Sequence, residues 1–247
     1  MIAALAIGRK GSSGLQGKNH LFVLGRPLAA YPMLAARDCE LIDRLYLSTD
    51  CDVLKAIGRD HDATIIERPD WLATNEALGE DAFKHGYAVI REEAGELEFV
   101  VLLMCNAPTI TSRLIAEAIE RLRADPAADS AVSVSRYNMW SPIRARRKGA
   151  DGYLKPFVPF ETFGNPRDLN CDRDSQGDVW FADMGVSVVR PRCLEAIEDG
   201  LLPQKWMGQK ILPVENWGGL DVDYAWQIGM IEFWLREHGF SYEGMKT

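Results

Sequence analysis

A chain of 247 residues, 47% hydrophobic and 26% charged, can bury a sizeable core, and its formal net charge of −8 argues against a sequence-independent grip on nucleic acid. The opening MIAALAIGRKG has a short apolar run with no basic segment ahead of it, and no later run nears the roughly 20 apolar residues that span a bilayer, so neither a signal peptide nor a membrane is expected and a cytoplasmic location follows. Five cysteines (Cys39, Cys51, Cys105, Cys171, Cys193) lie far apart with no Cys-x-x-Cys pair, which speaks against zinc and against a disulfide framework.

Taken in chain order, Ile2 to Ile7 is a short apolar run that empties into a glycine-rich stretch, the pattern of a buried parallel strand feeding a loop. Pro27 to Arg37 reads as a helix with Pro27 near its start, and Leu45 to Thr49 as a strand before a helix capped by Asp50 or Asp52. A strand at Thr64 to Glu67 closes at Pro69. A helix from about Gly79 to Arg91, an apolar run from Phe99 to Met104, a helix from Ser112 to Arg123 and a strand from Ser130 to Ser135 continue the alternation. Such alternation predicts one α/β domain with a mainly parallel sheet and helices on both faces.

From Tyr137 to Asp178 the pattern dissolves into prolines, glycines, arginines and aromatics. That is too long for a structureless loop in a compact domain, so 137–178 is expected to be a small insertion. The sheet resumes at Val186 to Val189. A helix over Arg192 to Asp199, a last short strand at Leu220 to Val222 and a helix ending at His238 follow.

The stretch Gly8 to Asn19 sits directly after the first strand, where α/β folds place ligands. Its glycines let backbone amides approach an anion, and Arg9, Lys10 and Lys18 add positive charge, so a polyphosphate is the natural guest. It is neither a Walker A loop, since Asn19 follows Lys18 where Ser or Thr belongs, nor a GxGxxG fingerprint. Near the other end, Asp221 and Asp223 flank Val222, and on a strand this alternation points both carboxylates to one face. Two such carboxylates suit a shared hard cation, Mg2+, held with phosphate oxygens and water; two exposed acids on an edge strand are the bland alternative.

The loop resembles the amino-terminal signature of the CMP-acylneuraminate synthetases, in which an arginine and a glycine-serine turn end in Gly-Lys-Asn. Ser48-Thr49-Asp50, Arg68-Pro69 followed by Leu72-Ala73, and Leu220-Asp221-Val222-Asp223 agree with that family in order and spacing. The resemblance implies a Rossmann-like fold of the nucleotide-diphospho-sugar transferase type and a cytidylyltransferase that joins CMP from CTP to an acidic acceptor, releasing pyrophosphate. It also implies that Arg9 and Lys18 act on the triphosphate and that Asp221 and Asp223 hold the metal. Gly11, Ser12, Ser13, Asn19, Arg68 and Ala73 would hold the nucleotide, and a homodimer would form through the insertion.

The acceptor half departs from the family. Its Leu-Gln-x-Thr-Ser-Pro segment reads Leu103-Met104-Cys105-Asn106-Ala107-Pro108 here, and its Glu-Asn-Gly reads Asp183-Met184-Gly185. Met104, Asn106 and Asp183 are therefore acceptor-binding candidates; the resemblance adds Arg173, which precedes Asp183-Met184-Gly185 much as the family's acceptor-binding arginine does, and Gln becoming Met argues against a polyhydroxylated sialic acid. A different nonulosonic acid, or a small phosphonate or phosphate, is the expected acceptor. Two alternatives stand beside this reading: a metal-dependent glycosyltransferase using Asp-x-Asp, and a nucleotide-binding protein without turnover.

Overall fold

The computed structural model describes residues 1–11 and 14–242, so two of the expected nucleotide-binding residues, Ser12 and Ser13, lie outside the described residues. The strands are β1 (Ile2–Ile7), β2 (Phe22–Val23), β3 (Arg26–Pro27), β4 (Arg44–Thr49), β5 (Thr64–Glu67), β6 (Phe99–Met104), β7 (Ser130–Arg136), β8 (Arg146–Lys148), β9 (Leu154–Pro156), β10 (Trp180–Val189) and β11 (Ile211–Asn216). The helices are α1 (Ala30–Arg37), α2 (Asp52–Asp60), α3 (Gly79–Ala94), α4 (Ser112–Ala124), α5 (Pro191–Glu195) and α6 (Gln227–Glu237). The chain divides into two compact units, one of Met1–Val134 with Ala182–Thr247 and one of Ser135–Phe181.

The first unit is built on a seven-stranded sheet in the order β11-β7-β10-β6-β1-β4-β5. β1 pairs in parallel with β4 and with β6, β4 pairs in parallel with β5, and β10 runs antiparallel to β6. Residue alternation along β1 explains why both faces are covered. Ile2, Ala4 and Ala6 join one apolar cluster with residues of α1 and α4, whereas Ala3, Leu5 and Ile7 join another with Phe83, Tyr87 and Ile90 of α3. The chain leaves β1 towards β4 and β5 and then returns to the other side of β1 to form β6. The carboxyl ends of β1 and β6 thus flank a topological switch point, where open α/β sheets bind ligands.

A third apolar cluster joins Val23, Leu24, Leu28 and Tyr31 to Ile231, Trp234 and Leu235 of α6, with Val222 fully buried among them. This packing ties residue 222 to the elements that follow the glycine-rich loop. In the second unit, β8 and β9 form a two-stranded antiparallel hairpin, and Asn138 donates to Asp174 and Asp178.

Four sequence expectations need correction. Pro27 does not open a helix: it pairs with Phe22 in a hairpin, where a residue without an N–H is tolerated, and α1 begins at Ala30. Neither Asp50 nor Asp52 caps α2, whose cap residue is Cys51 without a side-chain bond, while Asp50 accepts instead from the Lys10 amide at 2.9 Å. The helix expected over Arg192 to Asp199 is α5 followed by a 3-10 turn at Ile197–Asp199. Leu220 to Val222 is not a strand; its backbone groups bond to Thr109 and Asn106 instead of to a ladder, and the strand in this region is β11.

A candidate nucleotide cleft at the ends of β1 and β6

The cleft opens where β1 and β6 end. Ile7 and Gly8 come from β1 and its exit, Met104 and Asn106 from the end of β6, and Arg9, Gly11, Lys18 and Asn19 from the glycine-rich loop. Arg68, which follows β5, and Leu72 complete the opposite wall.

Arg68 is the most telling of these residues. It is 7% exposed, its Nη2 donates to the Ser48 carbonyl at 2.8 Å, and among the described residues no carboxylate pairs with it. Burial holds its guanidinium below the ordinary arginine value, while the Cys105 thiol and the Asp50 carboxylate pull the other way. A buried cation without an acid partner is costly unless something anionic or strongly accepting completes it. Asn19 presents the complementary demand. It is 9% exposed, its Nδ2 donates to the Arg9 carbonyl at 3.4 Å, and its Oδ1 is buried without a hydrogen-bond partner among the described residues. Among the described residues, one cleft therefore holds a buried acceptor without a donor and a buried cation without an ion-paired carboxylate.

Arg9 is held in place by the segment that precedes α3: Nη1 donates to the Thr74 carbonyl and to Asn75 Oδ1, both at 2.8 Å. Its Nε and Nη2 carry no hydrogen bond among the described residues.

The two ends of the chain meet here. Lys18 Nζ pairs with Asp223 Oδ1 at 2.5 Å, the Leu15 amide donates to the Asp223 carbonyl at 3.0 Å, and a Cβ on Gly14 would lie 2.6 Å from that same carbonyl oxygen. Only a glycine lets the loop lie this close to residue 223. Asn106 holds the neighbouring residues: its Nδ2 donates to Asp221 Oδ2 at 3.0 Å and to the Val222 carbonyl at 3.1 Å, and its carbonyl accepts from the Val222 amide at 2.8 Å. Val222, between Asp221 and Asp223, is fully buried. Burial raises the Asp221 carboxyl above the usual carboxylate range and the nearby Asp223 charge raises it further, against the pull of Lys18 and the Asn106 hydrogen bond.

Of the expected site residues, Arg9, Gly11, Lys18, Asn19, Arg68, Met104 and Asn106 share this one cleft, and Asp221 and Asp223 are bonded to its walls through Asn106 and Lys18. Three others stand differently. Ala73 is not among the lining residues, where Leu72 beside it takes the wall position; its amide closes the turn to the Asp70 carbonyl. Asp183 is buried at 4% exposure, with Oδ1 accepting from Ser133 Oγ and the Gly185 amide and Oδ2 accepting from Asn216 Nδ2, so its carboxylate is a node of packing and does not line the cleft. Arg173 lies in the second unit, exposed and paired with the adjacent Asp174 at 2.8 Å.

Sequence reasoning missed Leu78 and Gly79 at the start of α3, which also line the cleft. It missed Thr74 and Asn75 as the anchor of Arg9, and Thr109, whose hydroxyl bonds the backbone beside Asp221. No helix among the described residues is long and apolar enough to cross a membrane, and no group of three or more metal-ligating side chains is found among them.

Comparison with known proteins bears on the family and the fold. Residues 3–147 match the family described as cytidylyltransferase. The N-acylneuraminate cytidylyltransferase of Escherichia coli is 32% identical over 142 residues, 58% of this chain and 33% of that protein. That of Oncorhynchus mykiss is 24% identical over 92% of this chain and 49% of its own length. The chain thus spans a third to a half of the length of these curated relatives. Among solved structures, CMP:2-keto-3-deoxy-manno-octonic acid synthetase complexed with CTP superposes with a TM-score of 0.67 at 16% identity, covering 96% of this chain and 99% of that one. The 4-diphosphocytidyl-2C-methyl-D-erythritol synthase of Anaerococcus prevotii superposes at 0.61 and 16% identity, covering 95% and 96%. At such identities the superpositions speak for the fold, and they agree with the Rossmann-like, mainly parallel α/β architecture expected from the alternation of elements. With the family match spanning more than half of its residues, this chain belongs to the cytidylyltransferase family.

Proposed function

We propose that the protein transfers CMP from CTP to an acidic acceptor of the sugar-acid or small phosphonate class, with release of pyrophosphate. The observation that carries this reading is the pairing of demands in one cleft among the described residues: the buried guanidinium of Arg68, with no carboxylate in ion-pair contact, and the buried Oδ1 of Asn19, with no donor. A cytosine ring meets both, since its exocyclic amine donates to an acceptor and its carbonyl accepts from a guanidinium. Uracil offers a carbonyl where the amine stands, and a buried acceptor facing a carbonyl is left unpaired.

In the transfer, the acceptor oxygen forms a bond to the α-phosphorus while the bond from that phosphorus to the pyrophosphate oxygen breaks. Pyrophosphate leaves with that bond's electron pair; a hydroxyl acceptor passes its proton to solvent, whereas a phosphonate attacks through an oxygen that is already ionised. No covalent intermediate on the protein is needed, so the work left to this chain is positioning and charge stabilisation. The Arg9 guanidinium suits phosphate oxygens, and the Lys18 ammonium, poised on Asp223, suits the charge that grows on the leaving pyrophosphate.

Asp221 and Asp223 fit a hard divalent cation. They are oxygen donors from one short segment, and the raised Asp221 carboxyl beside Asp223 is the electrostatic state a cation relieves. Mg2+ held by these two residues would supply neutralisation of the triphosphate charge. Met104 on the cleft wall offers no hydrogen bond to a polyol, which favours an acceptor other than N-acetylneuraminic acid. The relatives named for N-acylneuraminate and for 2-keto-3-deoxy-manno-octonic acid support a sugar-acid acceptor.

The test is pyrophosphate release from CTP, UTP, ATP and GTP with a panel of ulosonic acids, N-acetylneuraminic acid and small phosphonates. Release with CTP and one acidic acceptor is expected. Equal use of UTP would overturn the base assignment, and efficient turnover of N-acetylneuraminic acid the acceptor assignment. Silence across the whole panel would overturn the activity.

A further inference from the structure

Asp221 stands on a segment with no ladder to hold it, yet its carboxylate is aimed with three-dimensional economy. The residues responsible lie in the turn after β6. Thr109 is fully buried, and its hydroxyl makes two bonds to one residue, accepting from the Leu220 amide at 3.0 Å and donating to the Leu220 carbonyl at 3.2 Å. It pairs with residue 220 as a neighbouring strand would. The Thr109 carbonyl accepts from Asn216 Nδ2 at 3.3 Å, and that same Nδ2 donates to Asp183 Oδ2 at 3.0 Å. The segment passes so close over this group that a Cβ on Gly219 would lie 2.2 Å from Asp183 Oδ2.

We propose that Thr109 is a positioning residue for catalysis: through its two bonds to Leu220 it fixes the backbone immediately before Asp221, and so sets where that carboxylate meets the metal and the triphosphate. The proposal rests on the reading of Asp221 as a metal ligand. It gives the buried polar group Asn216–Asp183, which lies outside the cleft, a role one step behind the site: it holds Thr109, and Thr109 holds residue 220. Serine preserves the hydroxyl, whereas valine keeps the shape and removes both bonds, leaving the Leu220 amide and carbonyl without partners.

The experiment compares wild type, Thr109→Ser, Thr109→Val and Thr109→Ala in the full-length protein. Amide hydrogen exchange without nucleotide or metal is read first, because it reports the clamp whether or not the reaction has been assigned correctly. The Leu220 amide should exchange about tenfold faster in the valine and alanine variants. The Val222 amide, bonded to the Asn106 carbonyl, should change little and serves as the internal control. In turnover, both variants should need several-fold more Mg2+ for half-maximal rate and lose about tenfold in kcat at nearly unchanged KM for CTP, with serine close to wild type. Unchanged Leu220 exchange in the variants that fold would overturn the clamp. Faster exchange with unchanged Mg2+ dependence and kcat would overturn its catalytic role, as would equal losses in serine and valine. A wild type inactive with every acceptor would overturn the underlying reading while leaving the exchange result to decide the clamp.

Discussion

Among the described residues Arg68 is a buried cation without an ion-paired carboxylate and Asn19 Oδ1 a buried acceptor without a donor, and a ligand that meets both is bound for reasons of desolvation as much as of contact. Truncating Asn19 to Ala removes the acceptor and the reason to reject a carbonyl opposite it. CTP affinity should fall by about tenfold, the worth of a buried hydrogen bond, and the preference for CTP over UTP should narrow by a similar factor, both read by titration calorimetry. A CTP preference unchanged in Asn19→Ala would show that the base is read elsewhere. Asp221 makes the complementary case, in which function opposes stability. Its raised carboxyl means that the folded state binds a proton more readily than the unfolded chain does. Stability from this group is therefore present at low pH and lost as pH rises through the folded value, leaving a buried charge as a burden at neutral pH. Asp221→Asn should melt at a higher temperature than wild type at neutral pH without divalent cations, yet lose on the order of a hundredfold or more in kcat. Asp223→Asn should share the loss of turnover without the gain in stability, because Asp223 is half exposed and already paired with Lys18.

At the scale of elements, the site is made where two turns from opposite ends of the chain lie against each other. The glycine-rich loop brings Leu15 to the Asp223 carbonyl, and the turn after β6 brings Asn106 and Thr109 to residues 220–222. Gly219 is where this arrangement is least forgiving, since a Cβ there would sit 2.2 Å from Asp183 Oδ2 and 2.7 Å from Asn216 Nδ2. Gly219→Ala must push the segment off its support. It should cost about 1–3 kcal/mol in chemical denaturation and more in kcat than in CTP affinity; an alanine variant with wild-type stability and turnover would show that the segment is freer than its contacts indicate. The alternating strands and helices were legible because each carries its own period, and β1, β5 and β6 fall on the residues where apolar runs stand in the sequence. Leu220–Asp221–Val222 was misread as a strand for a physical reason. Its alternation is that of a strand, but its partners are Thr109 and Asn106, more than a hundred residues away, which no local pattern announces. Asp183 illustrates a related point: a carboxylate in a short motif reads as a ligand, whereas in the fold Ser133, the Gly185 amide and Asn216 occupy it. Leu78 and Gly79 went unnoticed because a helix start says nothing about which strand end it faces.

At the scale of the whole molecule, the second unit raises a question that its own composition poses. Within Ser135–Phe181 the large apolar side chains are mostly in solvent, with Trp140 62% exposed, Tyr153 74%, Leu154 72% and Phe157 61%. Its one sheet is the two-stranded hairpin of β8 and β9, and a lone hairpin of this kind is marginal in water without an apolar face to pack on. Residues this apolar and this exposed in one small unit are the signature of a protein interface, where aromatic anchors dominate the energy. A second copy of the chain is the expected partner, as the family resemblance implies, and a symmetric dimer uses the same patch twice, so one substitution is felt on both sides. The protein should sediment as a dimer at micromolar concentration. The double variant Tyr153→Asp with Leu154→Asp should shift it to monomer, weakening association on the order of a hundredfold or more, while the melting of the seven-stranded unit, whose core these residues do not join, stays close to wild type. Sedimentation equilibrium across a range of concentrations decides the matter. A wild type that remains monomeric, or a double variant that dimerises as well as wild type, would mean that the aromatics of this unit serve some other contact.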